Sequence, residues 1–170
     1  MVADQRNFFA PLPGPQEAER AQVLELVAKR LASAATTEGL EQQLSAPTQR
    51  QLADAGVRVS LFSDADPAQI EAAARVGAPV IEIHTGRYAD AIGDTWRDEL
   101  ARIQQAVEQG LDLGLQVNAG HGLTTANVRD LFAVPHLAEL NIGHHLVCRA
   151  ITVGLRRSVE EMLAVMAEYR

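Results

Sequence analysis

From residue 57 onward, short β-rich runs alternate with segments of helical character, at spacings of about 20–35 residues. The four runs occupy residues 57–62, 79–84, 113–118 and 138–142. Strands that alternate with helices in this way form successive βα units, and their strands lie parallel in one sheet. Neither a glycine-rich dinucleotide motif nor a P-loop follows any of the runs. The alternation of strands and helices is therefore the main constraint on the fold.

Aliphatic and polar residues alternate within each run, which gives the predicted sheet one apolar face and one polar face. In the second run, for example, Ile81 and Ile83 oppose Glu82 and His84. Parallel strands covered on both faces are usually apolar throughout, whereas a polar face needs hydrogen-bond partners or a water-accessible cavity. A barrel with a polar lumen meets this need better than a doubly wound sheet. We therefore predict an α/β fold with a parallel sheet of TIM-barrel-type (β/α) units, about four of the eight, as a half barrel.

Helical periodicity and capping residues predict the remaining elements. Asp66 is a suitable N-cap, and Pro67 a suitable first residue, for the helix after the first run. Thr124 or Thr125 is expected to cap a helix that extends to Phe132. The predicted helices cover residues 16–35, 41–54, 67–76, a stretch ending near 110, the segment up to 132, 145–153 and 155–168.

Composition excludes several classes of function. The chain has 15 basic and 22 acidic residues and a net charge of −7, which argues against general binding of nucleic acid or anionic membranes. Its single cysteine, Cys148, excludes an intramolecular disulfide framework. No apolar run approaches the roughly 20 residues that span a bilayer, and the N-terminus does not resemble a secretory signal. We expect a soluble cytoplasmic protein.

Three of the predicted strand ends combine histidine with glycine, at residues 82–86, 118–122 and 141–145. Active sites of βα barrels form on the loops after the carboxyl ends of the strands. Glycine lets a backbone approach a ligand and direct N–H groups at a phosphate, and histidine transfers protons near neutral pH. The candidate functional residues are His121, Glu82, Gly122, Gly143 and His144.

Each candidate also has a structural interpretation. Glu82 could pair with an arginine, Gly122 could serve only a turn, and His144 could cap the end of the sheet. The strand residue His84 is interpreted as a hydrogen-bonded structural histidine, and His136 and His145 as surface or packing residues. No spacing typical of metal ligands is present, so we expect no metal.

Several strings of this sequence, in a fixed order over about 115 residues, resemble the pyridoxine 5′-phosphate synthase family. They include Leu-Ala-Asp-Ala-Gly, Gly-Ala-Pro-Val-Ile-Glu-Ile-His-Thr-Gly, Val-Asn-Ala-Gly-His-Gly-Leu and Glu-Leu-Asn-Ile-Gly-His, at 52–56, 77–86, 117–123 and 139–144. The resemblance implies a homo-oligomeric (β/α)₈ enzyme of vitamin B6 biosynthesis. Such an enzyme condenses 1-deoxy-D-xylulose 5-phosphate with 3-amino-2-oxopropyl phosphate and needs no metal or organic cofactor.

The resemblance also implies roles for individual residues. The proton donor corresponds to His121, and the group that stabilises a transition state corresponds to Glu82. Substrate phosphate contacts correspond to Gly122, Gly143 and His144, and a further substrate contact corresponds to Thr36.

The resemblance begins at Thr36. The family opens with a strand carrying Asn-x-Asp-His, a His-Leu-Arg-Glu-Asp-Arg segment and a strand that ends in a glutamate base, and none of these strings occurs here. We therefore expect residues 1–35 to form a lead-in and a helix outside the family pattern, and 36–170 to form the half-barrel domain. A second copy or another partner would complete the barrel. The alternative is a catalytically incomplete homologue that binds a phosphate ligand or a partner protein.

Overall fold

The computed structural model describes residues 46–169. Four strands lie within this range: β1 Ser60–Ser63, β2 Val80–His84, β3 Gln116–Gly120 and β4 Leu140–Asn141. The α-helices are α1 Ala46–Asp54, α2 Pro67–Arg75, α3 Gly86–Asp90, α4 Thr95–Asp112, α5 His144–Val153 and α6 Leu155–Met166. A 3₁₀ helix covers Asp130–Ala133. The predicted lead-in, the helix predicted at 16–35, Thr36 and the start of the helix predicted at 41–54 lie outside the described residues.

The four strands form one parallel sheet in the order β1-β2-β3-β4. The sheet order follows the chain order, as expected when each strand is joined to the next by a crossover connection. This confirms the predicted α/β fold with four parallel strand units. Within the described residues, β1 and β4 each pair on one side only, so the sheet is open.

The two faces of the sheet differ as the alternation predicts. Leu61, Ile81 and Val117 share one register row and are buried beneath helices. The next row, on the opposite face, consists of Phe62, Glu82 and Asn118. Phe62 is 52% exposed, so this face is open at β1. The core therefore lies between the apolar face and the helices, and the polar face is left available for a site.

Three of the predicted helices, α2, α5 and α6, are confirmed. At α2, the side chain of Asp66 accepts hydrogen bonds from the N–H groups of Ala68 and Gln69, as an N-cap does. At the end of the described chain, α5 and α6 meet at Gly154. Arg149 of α5 forms a salt bridge with Glu161 of α6 at 2.8 Å, and this hydrogen bond lowers the pKa of Glu161.

Other boundaries differ from the prediction. The third strand begins at Gln116 rather than 113, because Leu113 ends α4 and Gly114 turns the chain with φ +79°. The helix predicted from Thr124 to Phe132 is wrong, since turns precede the short 3₁₀ helix there. Thr124 does accept N–H groups as a cap would. However, Asn127 bonds back to the backbone of Thr124 and Gly122, and such local bonds compete with helix formation.

The remaining strands also start or end within a few residues of the prediction. β1 begins at Ser60 rather than 57, and β4 is reduced to Leu140 and Asn141. None of the helices in 46–169 combines the length and apolar character needed to cross a membrane.

Candidate functional site

A cleft of about 540 Å³ lies at the carboxyl edge of the sheet. The ends of β2, β3 and β4 each contribute residues to it. All five candidates within the described residues line this cleft: Glu82, His121, Gly122, Gly143 and His144. Thr36 lies outside the described residues. The structure therefore brings together side chains and glycines that are up to about 60 positions apart in the sequence.

Glu82 lies on the polar face of β2. Its two neighbours in sequence, Ile81 and Ile83, are buried on the opposite face. Its Oε2 accepts a hydrogen bond of 2.7 Å from Nδ2 of Asn141. Its other oxygen lies beside Gly120, because a Cβ added at this glycine would be 2.2 Å from Oε1. Within the described residues the partner of this carboxylate is thus an amide, rather than the arginine that a structural role would predict. An amide fixes the carboxylate without neutralising its charge.

His121 follows β3 directly and has φ +82°, a conformation that non-glycine residues rarely adopt. Thr85 holds the backbone in place. The Thr85 N–H donates to the carbonyl oxygen of Gly120 at 2.8 Å, and its hydroxyl is shared between the carbonyl oxygens of Gly120 and His121 at 2.8 and 2.6 Å. Thr85 is fully buried. A buried clamp of this kind sustains a strained backbone.

Gly122 continues the left-handed turn with φ +75°. A Cβ added here would lie 2.6 Å from Cβ of Ala89. Both the backbone conformation and the contact with α3 therefore require glycine. The turn alone accounts for this glycine, and its role toward a ligand stays a prediction.

Gly143 is the N-cap of α5 and His144 is its first residue. No side chain caps this helix end, and both residues line the cleft. The first N–H groups of α5 and the positive end of its dipole therefore lie at the cleft. The side chain of His144 is exposed. This end of α5 can accept an anionic group.

Some residues of the site were missed or assigned otherwise by the sequence. His84, interpreted as structural, lies beside His121 with a ring-centroid distance of 4.5 Å. His145, expected at the surface or in packing, lines the cleft, and its Nε2 is 3.5 Å from Oγ1 of Thr125. Asn141 lies in the predicted strand end 141–145 but was not among the candidate residues. The strand alternation could have identified His84, because it places His84 on the same face of β2 as Glu82.

The part of the chain that the structure describes contains no candidate metal site. Within residues 46–169 no three His, Cys, Asp or Glu side chains converge as ligands would. The expected absence of a metal stays a prediction.

Tyr88 attaches α3 to the loop that follows the catalytic candidate His121. Its hydroxyl donates to the carbonyl oxygen of Asn127, and its ring is buried. Burial, with a smaller contribution from Asp130, raises the pKa of Tyr88 to about 12. The folded state therefore holds the phenol proton more tightly than the unfolded chain does.

Replacing Tyr88 with phenylalanine is expected to lower the free energy of unfolding by about 1 kcal/mol at neutral pH, because the hydrogen bond is lost. The raised pKa adds a second effect. As the pH rises from about 10 to 12, the wild type loses the stability that the protonated phenol of Tyr88 contributes. Tyr88→Phe has no phenol at this position and does not show this loss. Urea denaturation at pH 9 and pH 11 measures both effects. Equal pH dependence in the two proteins would contradict the assignment of this loss to Tyr88.

In parallel βα proteins, ligands bind beyond the carboxyl ends of the strands, which is where this cleft lies. By fold and site, the chain is thus a parallel βα protein with a cleft at that edge. A sequence model of the family described as pyridoxal phosphate biosynthesis protein PdxJ matches residues 16–168. The chain belongs to this family.

The matched range includes residues 16–35, which the sequence strings placed outside the resemblance. The domain boundary at 35/36 stays a prediction. Among solved structures, a xylose isomerase domain protein from Planctomyces limnophilus is 14% identical, with a TM-score of 0.47. That similarity covers 74% of this chain and 57% of the other. The chain thus spans little more than half the length of that protein, and a similarity at this level supports no statement on function.

Proposed function

We propose that this chain carries the proton donor and the phosphate contacts of a pyridoxine 5′-phosphate synthase, a ring-forming enzyme of the transferase class. The substrates would be 1-deoxy-D-xylulose 5-phosphate and 3-amino-2-oxopropyl phosphate. One observation carries the proposal: Glu82, His121, Gly122, Gly143 and His144, from three separate strand ends, line a single cleft. The family to which the chain belongs supports the same pathway.

The proposed chemistry needs proton transfers at several steps. Pyridine ring closure proceeds through Schiff-base formation, enolisation and dehydration, and each step moves a proton to or from oxygen, nitrogen or carbon. The ring of His121 is exposed at the cleft, while its backbone is fixed by buried Thr85. An exposed imidazole on a fixed backbone can reach a substrate oxygen and protonate it as water leaves. We assign His121 as this donor.

Glu82 would act through its charge. Schiff-base intermediates carry positive charge on nitrogen, and a preorganised carboxylate stabilises that charge as it develops. The hydrogen bond from Asn141 fixes Oε2 of Glu82 before the substrate arrives, so little reorganisation is needed during the reaction.

The substrate phosphates would bind at the end of α5 and at the turn after β3. The first residues of α5 present free N–H groups to the cleft, and Gly122 lets its backbone approach a ligand closely. His144 would add a side-chain contact, and Thr36 a further contact to substrate. We propose no metal and no organic cofactor for this reaction.

The open edges at β1 and β4 leave the polar face of the sheet without a closed barrel around it in the described residues. Unpaired strand edges favour association. We therefore propose that a second copy of the chain, or another chain with the remaining units, completes the site. The protein would act in the cytoplasm, where phosphorylated metabolites are held.

Incubation of the purified protein with both substrates tests the function. Pyridoxine 5′-phosphate and released phosphate would be measured for the protein alone and with an added N-terminal family half. Product in either case supports a synthase, and loss of product on changing His121 identifies the donor. Binding of either substrate without product under both conditions would contradict the proposal. It would favour the alternative of an incomplete homologue that binds phosphate ligands, for which the open sheet is the supporting observation.

A further inference from the structure

We propose that His84, oriented by Asp64, is a positioning residue that holds the imidazole of His121 in place for proton donation. The inference rests on the proposed role of His121. It concerns a residue that does not itself line the cleft, so His84 would act through His121 and not by touching the substrate.

The ring of His84 is restrained on several sides. Its Nδ1 lies 3.6 Å from Oδ1 of Asp64, at the end of β1. The ring of Phe62 meets it edge to face, with centroids 5.2 Å apart and planes at 79°. Its third neighbour is the ring of His121, with centroids 4.5 Å apart and planes at 41°. Phe62 of β1 and Asp64, which follows β1, thus contact the ring against which His121 rests.

His121 needs such a restraint because its side chain has few others. Thr85 fixes its backbone carbonyl, but within residues 46–169 the imidazole forms no hydrogen bond. A backbone clamp does not determine the side-chain torsions. The contact with the ring of His84 limits these torsions. An error of about 1 Å in a reacting group can lower a rate about 100-fold.

Gly86 makes the contact between the two rings possible. A Cβ added there would lie 2.6 Å from Cε1 of His84 and 3.0 Å from Cδ2 of His121. The backbone of Gly86 is buried directly against both imidazoles. Any larger residue would displace one or both rings, so the glycine after buried Thr85 leaves the space that the pair occupies.

Three variants of His84 separate ring packing from the polar contact. His84→Phe keeps a flat ring against His121 but loses the nitrogen near Asp64, His84→Asn keeps a polar group without a ring, and His84→Ala removes both. We expect His84→Ala to lower kcat about 10- to 100-fold with KM for both substrates unchanged within about twofold. We expect His84→Phe to retain more activity than His84→Asn. His136→Asn, which changes an exposed histidine of positive φ away from the cleft, is the control.

The position of the His121 ring is also measurable without turnover. In ¹H–¹³C spectra of histidine-labelled protein, the His121 ring signals are assigned by their loss in His121→Asn. We expect them to shift in His84→Ala, through loss of the neighbouring ring current, and to remain unchanged in His136→Asn. Asp64→Asn, a milder change, is expected to shift them less and provides the same test if His84→Ala does not fold.

The outcomes separate this inference from the proposed function. A wild-type protein that produces no pyridoxine 5′-phosphate, even with the added half, contradicts the proposed function alone, because the spectra still report on the ring of His121. Unchanged His121 signals in the His84 or Asp64 variants would overturn the inference. So would an unchanged kcat in His84→Ala, or equal recovery by His84→Asn and His84→Phe, since ring packing would then have no part.

Discussion

Replacing His121 with asparagine is expected to lower the rate of pyridoxine 5′-phosphate formation by about 100- to 10,000-fold, the range typical for loss of a general acid. Asparagine suits the test because it tolerates positive φ better than alanine does. The left-handed backbone at His121 is therefore retained, and the imidazole is what the variant lacks. Initial rates with saturating substrates, under the condition in which the wild type turns over, provide the measurement.

The matched control for this variant is His136→Asn. His136 also has a positive φ, of 65°, and its side chain is exposed away from the cleft. The same substitution in the same kind of backbone should leave the rate unchanged. Equal losses in the two variants, or a His121 variant with the wild-type rate, would remove His121 from the mechanism. If both variants have the same change in melting temperature, that change reflects the effect of the substitution on stability and not a role in the reaction.

Replacing Gly120 with alanine is expected to cause the largest loss of stability among single changes at the site. The added Cβ would lie 2.2 Å from Oε1 of Glu82 and 2.9 Å from the carbonyl oxygen of Asn141. The carboxylate can move, but the backbone of β4 cannot move without breaking its pairing with β3. Overpacking at a buried position costs about 1–3 kcal/mol or more. Displacing Glu82 would also weaken its bond to Asn141, so turnover should fall as well.

Gly143→Ala is the control for the stability of Gly120→Ala. Gly143 has φ −111°, which alanine adopts, and nothing lies within 4 Å of an added Cβ. Thermal unfolding of the two variants and the wild type decides the comparison. The prediction fails if both variants melt together with the wild type, because the close approach of Glu82 to β3 would then not be part of the folded state.

Much of the site could be predicted from the sequence because strand alternation is a local property. The positions of Ile81 and Ile83 place Glu82 on the open face, and the structure puts it there. The glycines and histidines after β3 and β4 could be placed at one edge, since the carboxyl ends of successive parallel strands meet there. Their roles in catalysis stay predictions.

Other elements could not be predicted, for reasons that the structure makes plain. The segment after Thr124 carries the cap of a helix, yet the side chain of Asn127 bonds to the backbone of Gly122 and Thr124 and holds a turn instead. Capping residues indicate where a helix can begin, but they do not show which side chains will compete for the same backbone groups.

The sequence by itself determined the order of strands and helices, the polar face of the sheet and the family of the chain, because periodicity and short strings are read along the backbone. Only the tertiary structure decided what each polar group touches. Asn141 reaches Glu82 from 59 positions away, and His84 rests between Asp64 and His121, from the ends of two other strands. Such contacts depend on strand register and on the course of the loops, which are set by packing across the whole sheet.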